Sequence, residues 1–132
     1  MKKKVIVIGL VALLAALVST QAFATTKSSV VKRSITLVSV KEGAGHTVIA
    51  TVRITGWKML PALVGKKPNS KTGGHWHIFV NGKYNNATAN AKSGKSLKLK
   101  AGTYKISAEL ANNDHSELSP PVKSKTLSIK IT

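Results

Sequence analysis

The stretch "GGHWHIFVNG", residues 73 to 82, sets His75 and His77 on either side of Trp76. Successive side chains of a β-strand point to opposite faces, so residues two apart share one. Read as a strand, the segment sends Trp76, Ile78 and Val80 toward a core and His75, His77 and Phe79 to the other face. Imidazoles about 6 to 7 Å apart at the backbone can converge on one metal ion. They can equally form a polar pair on a wet sheet face. Asn81-Gly82, which follows, is a strong turn dipeptide.

The same period of two recurs on both sides of this stretch. "SITLVSV" (34–40) is rich in β-branched residues, and "HTVIATVRIT" (46–55) aligns Val48, Ala50, Val52 and Ile54 on one face. Between them "KEGAG" reads as a hairpin loop. "SLKLK" (96–100) opposes Leu97 and Leu99 to Lys98 and Lys100. "TYKISAEL" (103–110) points Tyr104, Ile106, Ala108 and Leu110 one way, with Lys105, Ser107 and Glu109 on its other face. "KTLSIKIT" (125–132) buries Leu127, Ile129 and Ile131 and turns Ser128 and Lys130 outward. Half-buried alternation of this kind marks antiparallel sheets with one solvated face.

The remaining segments lack that period. "WKMLPALV" (57–64) is apolar and interrupted by Pro61, which suits a bulged edge strand or a short helical turn. The stretches 65–74, 81–94 and 111–121 read as polar loops. About seven short strands in roughly 100 residues, with no helical pattern, predict an all-β, immunoglobulin-like antiparallel β-sandwich. A cupredoxin-like sandwich is the near alternative.

The chain begins with "MKKK", then the apolar run "VIVIGLVALLAALV", then "STQAFA" with small residues at Ala22 and Ala24. This is the pattern of a secretory signal peptide cut after Ala24. The apolar run of about 14 residues is short of the roughly 20 a spanning helix needs. The expected organisation is a signal peptide at 1–24 and one domain at 25–132. That places the domain in the periplasm or outside the cell, as a monomer with no transmembrane segment. The chain has no cysteine, so packing alone must hold it together.

Charge is lopsided, with 21 basic residues against four acidic ones. Removing Lys2, Lys3 and Lys4 takes the formal charge from +17 to about +14. Such a field attracts polyanions, among them acidic lipids, lipopolysaccharide and acidic glycans. Only Arg33 and Arg53 offer bidentate forks, so the attraction is diffuse. Lys98, Lys100, Lys105 and Lys130 fall at outward positions and are the candidate anion-binding residues.

His115, in "NNDHSEL", is the third candidate metal ligand, and His46 is a weaker fourth. If the loop 111–121 folds back beside residues 75–81, then His75, His77 and His115 form a three-imidazole site with an open position. Nitrogen donors suit Cu(II) and Zn(II), and the absence of cysteine argues against a blue-copper centre. Asp114 is placed to orient a ring.

With these residues in view, "GGHWHIFVNG" followed by "LKLKAGTYKISAELANNDHSELSPPVKSKTLSIKI" resembles a family of small exported bacterial domains of unknown function. The shared pattern is a G-H-x-H strand, an L-x-L-x-x-G-x-[HY] segment, an alternating strand, a D-H loop, a proline and a closing strand. It covers Gly74 to Thr132. The resemblance implies an immunoglobulin-like domain whose histidines cluster, and no established activity. This chain departs from it at Trp76 and Tyr104, where histidine is frequent in the family.

Other chemistry is excluded by spacing. Gly94-Lys95-Ser96 lacks the earlier glycine of a phosphate loop, since residue 89 is Ala. Adjacent Asp114, His115 and Ser116 cannot form a catalytic relay. Four acidic residues leave little for paired-carboxylate catalysis, and the aromatics form no platform for nucleic acid. The sequence therefore predicts an exported non-catalytic binding domain, holding copper or zinc through the histidines. The alternative is a basic envelope-associated module that binds anionic polymers.

Overall fold

Alternation at residues 34–55 becomes a hairpin in the computed structural model, which describes residues 31–132 together with Ala22 and Ala24. The signal-peptide reading of residues 1–24 thus lies outside the described residues, those two alanines aside. Strands β1 (Ser34–Gly43) and β2 (Thr47–Thr55) pair antiparallel. Their turn uses positive φ at Gly45 and His46. Val48, Ala50 and Val52 are buried, as the period predicts. The register slips between Leu37 and Ser39. This bulge turns Val38 out to solvent, 48% exposed, and lets both Leu37 and Val40 pack on the core.

The segment around Pro61 holds both alternatives in turn. β3 (Lys58–Met59) pairs parallel with the start of β4 (Gly73–Val80), and a 3-10 turn follows at Pro61–Leu63. β4 is central in the second sheet, between β5 (Lys83–Thr88) and β7 (Gly102–Ala111), and β8 (Leu127–Ile131) completes it. The first sheet runs β1-β2-β6, with β6 at Ser93–Lys95. The order β1-β2-β6 against β5-β4-β7-β8 is the immunoglobulin-type arrangement, in which the chain crosses repeatedly between two sheets. All pairings except β3–β4 are antiparallel.

Two sequence readings are corrected. Residues 81–94 hold β5 and the start of β6 and are not one loop. Asn81 and Gly82 both adopt left-handed φ, 51° and 77°, which is the hairpin turn that matches strand twist. Turn chemistry thereby outweighs polar composition. The asparagines then tie β5 to the other sheet. Asn86 Nδ2 donates to the Lys95 carbonyl and Asn85 Oδ1 accepts from the Leu97 amide, each at 2.8 Å. In the second correction, 96–100 is not a strand. Its backbone reaches β2 only at Ser96, whose amide donates to the Val48 carbonyl at 2.9 Å, and the residue before β2 at Leu99, which donates to the His46 carbonyl at 2.9 Å. Ser96 Oγ accepts the Val48 amide at 2.7 Å, and Leu97 is left 57% exposed.

Between the sheets lie Ile35, Leu37, Val48, Ala50 and Val52 from the first, and Trp76, Ile78, Ile106, Leu110 and Ile131 from the second. Trp76 is fully buried, and its indole N–H donates to the Asn90 carbonyl at 2.8 Å. Gly94 makes room for that ring. A Cβ there would stand 2.8 Å from two indole carbons.

Candidate metal centre

With Trp76 inside the sandwich, His75 and His77 project from the other face of β4, as alternation requires. That face is not solvated here. His75 is fully buried and His77 is 7% exposed. Close chain approach at the two preceding glycines seats the strand. A Cβ at Gly74 would collide with the Ala111 carbonyl and stand 3.0 Å from the Trp57 ring. Residue for residue, His75 is opposite Ala111 and His77 is opposite Glu109 on β7.

Two loops close over the histidines. The Gly65 amide donates to the Asn113 carbonyl at 2.6 Å, Asn113 Nδ2 to the Pro68 carbonyl at 3.3 Å, and the Asp114 amide to Asn69 Oδ1 at 3.0 Å. Loop 65–72 and loop 111–117 are thus clasped together. His115 takes a left-handed φ of 68° at the crest of its turn. Its amide bonds to the Asn112 carbonyl at 3.0 Å.

The result is a triangle of ring nitrogens. His75 Nε2 lies 2.9 Å from His77 Nε2 and 3.1 Å from His115 Nδ1, and the third side is 3.3 Å. A neutral imidazole nitrogen is either a donor or an acceptor. Among three mutually close nitrogens two must be alike, so no choice of tautomers turns all three contacts into hydrogen bonds. One cation facing three lone pairs satisfies them together. An ion about 2.05 Å from each nitrogen would make N–metal–N angles of about 90° to 107°, spanning octahedral to nearly tetrahedral values.

Electrostatics keep two of the rings in ligand form. Burial, and then the neighbouring His115, lowers the His75 pKa to about 4. Burial again lowers that of His77 to about 4, with His75 and His115 adding to it. Both rings are therefore neutral at pH 7. The Nδ1 of His75 is buried without a hydrogen-bond partner.

Asp114 does not play the ring-orienting part expected of it. Its Oδ1 accepts from Ser116 Oγ at 2.6 Å and from the Ser116 amide at 3.1 Å. These bonds and Asn69 pull its pKa down to about 2. The carboxylate shapes the turn that carries His115. His46 does not join the cluster. It sits on the β1–β2 hairpin, 3.4 Å from Glu42.

A pocket of about 550 Å³ opens beside His77 and His115. Phe79 and Tyr84 form one wall, and Glu109, Lys123 and Glu117 form another. Lys123 Nζ reaches Glu117 at 2.8 Å and Glu109 at 3.3 Å. Burial, with the Glu117 carboxyl beside it, raises the Glu109 pKa, while Lys123 lowers that of Glu117. Sequence reading passed over this wall. Tyr84 lies in a stretch read as loop, and Lys123 meets Glu109 only through an isolated bridge.

The four candidate anion-binding lysines are all exposed. Register places Lys105 and Lys130 on the same outer sheet face as His77. Lys98 and Lys100 lie on the irregular segment beside β2. Among the described residues no helix is long and apolar enough to cross a membrane. No protein-family model matches this chain, and neither a curated protein nor a solved structure is significantly similar to it.

Proposed function

We propose that this chain is an exported, non-catalytic metal-binding domain holding one Cu(II) or Zn(II) ion through His75 Nε2, His77 Nε2 and His115 Nδ1. The observation that carries this reading is the closed triangle of ring nitrogens, 2.9 to 3.3 Å on a side. Its donor set suits both metals. Support for a binding role comes from the carboxylates. Glu109 and Glu117 share Lys123, Asp114 serves its own turn, and Glu42 bonds Thr132 and His46. None is left as an unengaged base. The test is calorimetric titration of the purified protein at neutral pH with each metal. One equivalent should bind, and binding should vanish in His77→Ala. Absence of stoichiometric uptake of either metal removes the reading.

A second reading is favoured by one observation. Among the described residues Lys123 is the only lysine ion-paired to a carboxylate. The remaining lysines, Lys98, Lys100, Lys105 and Lys130 among them, present unneutralised charge to anionic envelope polymers. Binding to lipopolysaccharide or heparin should weaken steeply with salt. Binding indifferent to salt rejects it.

A further inference from the structure

Three protein nitrogens leave a four-coordinate ion one open position. At this centre access to that position is one-sided. His75 is fully buried behind the cluster, whereas His77 and His115 line the pocket. A volume of about 550 Å³ exceeds what a single water needs and falls in the range of small-molecule sites, roughly 300 to 1,000 Å³.

The walls select among possible ligands. Tyr84 meets the His77 ring edge-on, with centroids 4.8 Å apart and planes at 80°. Phe79 meets Tyr84 in the same way at 6.4 Å. A flat ring entering beside His77 would continue this edge-to-face arrangement, which aromatic pairs prefer. On the opposite wall two carboxylates share the single ammonium of Lys123. That wall has no spare cation for an anionic head group, and a carboxylate ligand would meet repulsion there. A neutral, planar nitrogen donor meets none.

We propose that the open position takes an incoming imidazole, as carried by free histidine or a histidine-bearing peptide, seated against Tyr84 and Phe79. The inference rests on the metal-centre reading above. Binding forms one metal–nitrogen bond in place of a bound water and transfers no electron.

The experiment uses the Cu(II)-loaded full chain, with imidazole and acetate as the two probes. Copper uptake is measured first without either probe, so failure of the metal reading registers separately and overturns both. Imidazole should change the visible band and add a fourth nitrogen coupling to the electron paramagnetic resonance spectrum. Acetate at the same concentration should do neither. Tyr84 is 54% exposed, so Tyr84→Ala should fold, and its copper uptake is measured first so that imidazole binding is compared at equal copper loading. In that variant imidazole should bind about fivefold more weakly, and Tyr84→Phe should restore it. Acetate binding as tightly as imidazole, or unchanged imidazole affinity in Tyr84→Ala, overturns the inference.

Discussion

The Nε2 atoms of His75 and His77, two residues apart on one strand, lie 2.9 Å from each other. Strand geometry alone leaves such rings farther apart. They converge together with a third nitrogen, on His115, 40 residues beyond His75, which lies 3.1 Å from one and 3.3 Å from the other. Loops 65–72 and 111–117 hold that third ring in place.

Removing the third ring should cost most of the affinity. His115→Asn tolerates the left-handed φ of this position and deletes the imidazole. Competition titration with a chromophoric chelator should show Cu(II) affinity lower by roughly a hundredfold or more, beyond the loss typical of an outer-shell partner. His46→Ala, on the far hairpin, should leave affinity unchanged.

Acid should destabilise the metal-free protein. His75 and His77 have folded pKa values near 4 against 6.5 in a solvated state. The unfolded chain therefore binds protons first, and stability falls as pH drops from about 6.5 to about 4. Each ring carries on the order of 3 kcal/mol, with less than twice that for the pair because the two titrate together. Urea midpoints measured from pH 7 down to pH 4 should decline across that window. A flat profile contradicts the assignment.

Asp114→Ala should separate loop order from fold. The substitution removes two acceptor bonds to Ser116 but touches no core residue. Thermal unfolding of the metal-free form should move little. Metal affinity should fall by about tenfold, because the turn that carries His115 loses the bonds that shape it, the low end of what supporting groups around a metal contribute.

Trp76→Ala should report on the sandwich. The indole is fully buried and packs over Gly94, so truncation leaves a large cavity worth about 3 to 5 kcal/mol. Trp76→Phe keeps most of the volume and loses the bond to the Asn90 carbonyl. It should cost clearly less. Chemical denaturation of both variants checks the ranking.

Gly74→Ala should damage site and fold together. The added methyl would meet the Ala111 carbonyl where β7 pairs beside His75. A loss of about 1 to 3 kcal/mol is expected from such overpacking, with weaker metal binding in the same variant. Retention of both would mean that β4 and β7 can separate locally at no cost.

The sequence by itself determined the period of two, and with it the sheet faces. Val48, Ala50, Val52, Trp76, Ile78, Ile106 and Leu110 are buried where alternation sends them, because a strand has only two sides. It also determined that His75 and His77 share a side, and it marked His115 as the third candidate. Tertiary structure alone decided that this side is covered. No local pattern announces that Gly65 and Asn69 will bond to residues 113 and 114, since those contacts join loops far apart in the chain. The same holds for β5. Its polar composition reads as loop, and only pairing with β4 after the Asn81-Gly82 turn makes it a strand. The pocket lining of Tyr84, Glu109 and Lys123 has the same origin. Its members meet because strands pair across a sheet, and a linear reading does not contain that proximity.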